Sequence, residues 1–265
     1  MKKILLISLL IIVLAIAGFA GYLKFALPDV EPSPDITITA TAERIARGDY
    51  LANHVTVCMD CHSTRDWSRF TGPLLPGTLG KGGEYFGREM GFPGDFYSKN
   101  ITPQNLGNWT DGEIYRTITT GVDKNGAALF PVMPYIHYGK MDKEDVYGII
   151  AYLRQLPAIN SSTPQSNADF PMNFIINTIP VNAVPMERPA KTNLVKYGEY
   201  VTTIAACIEC HTPVKKGQLI PELAYAGGRE FQMPNGMLRS ANITPDAETG
   251  LGNWTEDVFI ARFKV

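Results

Sequence analysis

The pentapeptide Cys-x-x-Cys-His occurs twice, as Cys58-Met-Asp-Cys61-His62 and as Cys207-Ile-Glu-Cys210-His211, and the two copies together use all 4 cysteines of the 265-residue chain. On a helix this spacing sets two thiols about one turn apart, with an imidazole directly after them. Each thiol can add to a haem vinyl group while the following His reaches the iron from the same side, so tether and proximal ligand come from one segment. Other chemistries suit the pattern less well. A zinc site built from two Cys pairs has roughly 15–20 residues between them, whereas these pairs lie far apart in the chain. A disulfide across x-x closes a tight loop, and a thiol-redox pair has no need of the trailing His. Two covalently bound haems c are therefore expected, with thioethers at Cys58, Cys61, Cys207 and Cys210 and iron held by His62 and His211.

Each pentapeptide heads a repeated unit. Arg47-Gly-Asp-Tyr50 precedes the first and Lys196-Tyr-Gly-Glu-Tyr200 the second. Downstream, Gly82-Gly-Glu-Tyr-Phe86 matches Gly227-Gly-Arg-Glu-Phe231, Asn100-Ile-Thr-Pro103 matches Asn242-Ile-Thr-Pro245, and Leu106-Gly-Asn-Trp-Thr110 matches Leu251-Gly-Asn-Trp-Thr255. Matches kept in the same order mark one structural unit used twice. After Trp254 only Thr255 to Val265 remain, so the counterparts of residues from about Gly121 to Pro157 are lacking, and the second unit is expected to be C-terminally truncated.

Ahead of the repeats, Met1-Lys2-Lys3 is followed by a charge-free apolar run from Ile4 to Leu23, then Lys24 and a Pro-rich stretch. That run is long enough to span a bilayer and exceeds the ~7–15 residues of a signal core, which favours a retained anchor over a cleaved signal ending near Gly18-Phe19-Ala20. Lys2 and Lys3 stay inside, placing the chain after Lys24 outside the cytoplasm. The expected location is the bacterial inner membrane, with the haem units in the periplasm; secretion to the periplasm after cleavage is the alternative. With 24 Lys plus Arg against 26 Asp plus Glu, no general attraction to nucleic acid is expected.

The first unit reads as three helices with no convincing alternating strand: about Ala42 to His54, a second opened by the capping box Thr110-Asp-Gly-Glu113, and a third capped by Asp142 and ended by Pro157. In the third, Val146, Ile149, Ile150 and Leu153 fall at helical spacing. Between His62 and Thr110 the chain is rich in Gly and Pro, as suits a long loop wrapped around a cofactor. The expected fold is all-α: an anchor at 1–24, a linker at 25–40, a complete domain at 41–158, a linker at 159–188 and a shortened domain at 189–265.

A sixth ligand makes a haem iron a fast electron carrier, and Met sulfur raises the potential. Met133, in the Pro-flanked turn Pro131-Val-Met-Pro134, is the candidate; His137 is the bis-His alternative, and Met141 reads as a packing residue. Trp109, Trp254, Tyr50 and Tyr200 are expected in the core, with indole donation to a haem propionate as the sharper reading of the two Trp. His54 reads as a surface or packing residue. Met233 and Met237 align with the region Arg88 to Phe92 rather than with Met133, so the second iron is expected to be five-coordinate or water-ligated.

Taken together, Cys-x-x-Cys-His, Gly-Gly-x-x-Phe, Asn-Ile-Thr-Pro, Gly-Asn-Trp-Thr and Met-Pro-Tyr resemble bacterial tandem class I cytochrome c domains, in particular the multihaem cytochrome subunits of membrane-bound alcohol and sugar dehydrogenases. The likeness runs from about Thr41 to Val265. It implies thioethers, proximal His62 and His211 and distal Met133, and it implies a membrane-bound dehydrogenase or terminal oxidase as redox partner. Outer-sphere electron transfer rather than catalysis is the expected function. The competing class is a dihaem peroxidase with an open second haem, against which the second unit has no His besides His211 to act as a distal base. A haem-based gas sensor would rest on the same open site.

Overall fold

The charge-free run forms helix α1, Lys2–Phe25, with no buried residue along its length. At ~1.5 Å per residue it is about 36 Å long, enough to cross a hydrocarbon core of about 30 Å. The computed structural model describes every residue except Phe70, Lys216, Pro234, Asn235 and Val265, and only the backbone of Met233. The chain forms two units, Met1–Tyr197, which includes α1, and Gly198–Val265.

The first unit is organised by two helices distant in sequence, α2 (Ala42–His54) and α7 (Lys143–Leu153). Thr41 caps α2, its hydroxyl accepting from Arg44 N at 3.2 Å, and Asp142 caps α7, its carboxylate accepting from Glu144 N at 2.8 Å. The two cross where both carry glycine: a Cβ on Gly48 would lie 1.9 Å from the Gly148 carbonyl oxygen. The backbones can touch there because neither side chain keeps them apart. Val146, Ile149, Ile150 and Leu153 are buried on the inner face of α7, as their spacing predicts. Beside the crossing, Arg47 pairs at 2.8 Å with the buried Asp145, which also meets Arg188, and Arg44 pairs with Glu144 at 2.9 Å.

Between these helices lie α3 (Cys58–His62), α4 (Pro103–Leu106), α5 (Asp111–Thr120) and α6 (Tyr135–Tyr138). The capping box at α5 is complete: Thr110 Oγ1 accepts from Glu113 N at 3.1 Å, and the Glu113 carboxylate accepts from Thr110 N at 2.8 Å.

The all-α expectation needs correcting. Strands β1 (Tyr85–Phe86), β2 (Gly94–Tyr97) and β3 (Asn167–Ala168) form a small antiparallel sheet with register Tyr85↔Tyr97 and Gly94↔Ala168. Strands of two to four residues are too short for alternation to show in sequence. The stretch expected to be a plain linker supplies β3, which reaches β2 because Gly94 lets the backbones close: a Cβ there would lie 2.3 Å from the Asn167 oxygen. Arg88 fastens the pairing, bonding Asp95 on β2 and, at 2.6 Å, Asp169 just past β3. The same stretch continues into α8 (Met172–Ile175) and a 3-10 turn, Ile176–Thr178.

Helix α9 (Leu194–Ile204) leads into the second unit. There follow α10 (Cys207–His211), the hairpins β4 (Val214–Lys215) with β5 (Gln218–Leu219) and β6 (Glu230–Met233) with β7 (Gly236–Arg239), and finally α11 (Glu256–Ala261). Thr255 caps α11 as Thr110 caps α5, its hydroxyl accepting from Val258 N at 3.3 Å.

Candidate functional site

Both pentapeptides fold into the same five-residue helix, and both are entered through a residue in the left-handed region, Val57 (φ 50°) before α3 and Ala206 (φ 53°) before α10. That conformation is uncommon outside glycine. It turns the chain sharply from the preceding helix, so that both cysteines and the histidine lie on one short turn. The four cysteines, all among the described residues, form no disulfide. Burial pushes the Cys58 thiol up, against a hydrogen-bonding contact with Thr56 Oγ1 at 3.1 Å, and pushes Cys61 up to about 12. Burial raises Cys207 and Cys210 as well. Among the described residues, no group of three or more His, Cys, Asp or Glu converges as a metal cluster would require.

The histidines carry the more specific signal. His62 Nδ1 lies 2.7 Å from the Lys99 carbonyl oxygen, and His211 Nδ1 lies 2.8 Å from the Ala241 carbonyl oxygen. A carbonyl only accepts, so Nδ1 is the donor, and Nε2 keeps its lone pair for a metal. Burial lowers the His62 pKa, which favours the neutral ring that ligation needs.

The repeated motifs hold those carbonyls in place. Gly82 N donates to the His62 carbonyl at 2.7 Å, and Gly227 N to the His211 carbonyl at 2.8 Å. Both glycines have positive φ (+75° and +72°) and lie flat on the acceptor peptide: a Cβ would come within 2.5 Å of Lys99 C or 2.4 Å of Ala241 C. The next residues tie down the neighbouring strand, Gly83 N to Ser98 O at 2.9 Å and Gly228 N to Ser240 O at 2.8 Å. Beyond the acceptor carbonyls, Asn100 Oδ1 accepts from Thr102 N at 2.9 Å and Thr102 Oγ1 at 2.7 Å; Asn242 Oδ1 accepts from Thr244 N and Oγ1 at the same distances. The Gly-Gly and Asn-Ile-Thr motifs thus orient each imidazole through one peptide group. Sequence reasoning used them only as markers of the repeat; that each recurs beside a Cys-x-x-Cys-His was the available signal.

The other candidates occupy varied surroundings. Met133 sits half-buried in the turn before α6, and its carbonyl accepts from Tyr135 N at 2.8 Å. Tyr138, at the end of α6, donates its hydroxyl to the Thr56 carbonyl, and Thr56 contacts Cys58; the chain just past Met133 is therefore fastened beside the first pentapeptide. His137 and Met141 are buried, and His54 is exposed. Tyr200 is buried as expected, but Tyr50 is 48% exposed, lying against Arg47 and His54 rather than inside. Neither Trp is fully enclosed: Lys124 Nζ stands 5.3 Å over the Trp109 ring and the Arg262 guanidinium 5.4 Å over Trp254. Met237 is exposed on β7, while the Met233 side chain and Val265 lie outside the described residues.

The residues fit a covalently held haem at both places: two cysteines and an imidazole with its Nδ1 bound to a backbone carbonyl, all on one turn. No protein-family model matches the chain. It is 29% identical, over 93% of its own length and 50% of the relative's, to the fructose dehydrogenase cytochrome subunit of Gluconobacter japonicus. It is 25% identical, over 83% of its length and 46% of the relative's, to the cytochrome c subunit of the quinone alcohol dehydrogenase of Gluconobacter oxydans. To a diheme c-type cytochrome of Cereibacter sphaeroides it is 28% identical, over 87% of this chain and 76% of that one. The chain spans about half the length of the two dehydrogenase subunits. Over most of its own length it is similar to cytochrome c subunits of dehydrogenases.

Proposed function

We propose that the chain relays single electrons through two haems c, one on Cys58, Cys61 and His62 and the other on Cys207, Cys210 and His211. The observation that carries this reading is an imidazole whose Nδ1 is bound to a backbone carbonyl directly after a Cys-x-x-Cys turn, built twice with the same supporting bonds. When bound, haem iron supplies a centre that accepts and returns one electron without bond changes in a substrate. The polypeptide's part is to fix the metal-facing nitrogen, so that little rearranges when the charge changes. Met133 is assigned as the second axial ligand in the first unit, supported by the fastening of α6 next to Thr56 and Cys58.

Helix α1 serves in this reading as a membrane anchor with Lys2 and Lys3 on the cytoplasmic side and both units in the periplasm. The proposed electron donor is a dehydrogenase of the kind whose cytochrome subunits the chain resembles, and the proposed acceptor is a terminal oxidase. A redox titration of the haem-loaded chain followed by visible absorption tests the function. Reversible one-electron steps are expected; an iron that does not cycle contradicts it.

A further inference from the structure

From Phe170 to Met186 the chain contains no charged residue, although it joins two haem-bearing units and a joining segment is ordinarily hydrated. Ionic groups mark both ends, Asp169 paired with Arg88 at one and Glu187-Arg188 at the other. The first part of the stretch does not run free. Helix α8 and the turn Ile176–Thr178 pack against α1, and Asn177 Nδ2 donates to the Leu23 carbonyl at 2.9 Å. Leu23 is in the last turn of α1, where carbonyls have no partner within the helix. In the apolar part of a bilayer such a group must be satisfied by protein, and Asn177 does so. Glu31 N, on the chain leaving α1, donates to Asn182 Oδ1 at 2.7 Å and ties the same two segments a second time.

The outward side of this segment is apolar. Phe170 is 81% exposed and meets Phe174 edge-on at 6.3 Å; Ile175 and Val184 are exposed too. On α1, Phe19, Tyr22 and Phe25 are exposed at the same end. Aromatic and aliphatic side chains without charge, fixed at the exit of a spanning helix, have the composition of a lipid–water boundary layer. We propose that Phe170–Ile179 rests in the headgroup and upper acyl region of the bilayer beside α1. The inference rests on the reading of α1 as a membrane anchor. A second contact of this kind restrains the tilt of the first unit over the membrane, which a lone tether does not.

Lipid carrying a photoactivatable diazirine in its acyl chain tests this on the full, haem-loaded chain in vesicles, with adducts mapped on tryptic peptides. The peptides that matter are residues 4–24, from α1, and residues 155–191, which contain the segment. Labelling of both, severalfold above the other peptides, is expected, and Phe170→Asp with Ile175→Asp should remove the label from 155–191 while leaving it on 4–24. Label on 4–24 alone overturns the inference and leaves the anchor standing; that result points to a protein partner as the occupant. Label on neither overturns both. Label on 155–191 that survives the double substitution overturns the assignment to these side chains. Retention of the haem spectrum shows that the variant is folded.

Discussion

In the proposed function the chemistry turns on one atom in each unit, the Nε2 of His62 and of His211, and on the carbonyl that holds the opposite nitrogen. Gly82 is a tight point of that support in the first unit. Its φ of +75° disfavours any L side chain, and a Cβ would press on the Lys99 peptide at 2.5 Å. Gly82→Ala is expected to cost about 1–3 kcal/mol from left-handed strain and overpacking and to perturb the first haem's spectrum while sparing the second. Thermal denaturation with absorption detection checks it, and an unchanged midpoint and spectrum would show that Gly82 supports nothing at the site. Met133→Ala should turn a low-spin first haem high-spin; an unaltered spectrum rejects the sulfur as ligand. At this scale the paired cysteines and their histidines were readable in the sequence, because they sit at a fixed local spacing. The role of Gly82 or Asn100 was not readable, since it depends on which carbonyl a distant loop delivers. The exposure of Tyr50 was missed because its neighbours Leu51 and Ala52 take the buried face of α2.

Among elements, the crossing of α2 with α7 is what closes the first unit. Gly48→Ala places a methyl carbon 1.9 Å from the Gly148 oxygen, a backbone atom that only a shift of a whole helix can move. A loss of about 1–3 kcal/mol is expected from overpacking, measurable by guanidinium unfolding; full stability would show that the helices are not in contact there. The helices themselves were legible through caps and periodicity, as Thr110, Asp142 and the Val146 to Leu153 series show. The sheet was not, because β3 joins β2 through a long-range pairing that leaves no local pattern. That pairing should be acid-sensitive. Hydrogen bonds from Tyr85 and then Arg88 hold the Asp95 carboxyl below its ordinary range, and bonds from Arg88 do the same for Asp169. A lowered folded pKa gives stability that is present above the ordinary carboxylate pKa of about 4 and lost as pH falls through the folded value. Amide exchange around residues 167–169, corrected for intrinsic rates, should therefore rise only on acidification below about pH 4. Exchange that is flat through that range contradicts the coupling.

Across the whole molecule, each unit carries its own cysteine pair, its own oriented imidazole and its own supporting turn, which supports the proposal of one haem per unit. The apolar α1 and the similarity to cytochrome c subunits of dehydrogenases support the proposed membrane-bound electron-transfer role. The near-neutral formal charge of −2 leaves partner choice to local surfaces. The most direct measurement is the intact mass of chain matured in an exporting, haem-attaching cell, combined with haem quantification and thiol alkylation. An added mass of two haems per chain is predicted, with none of the 4 cysteines open to alkylation. A colourless protein with all four thiols reactive, or a chain that carries haem in one unit only, would contradict it.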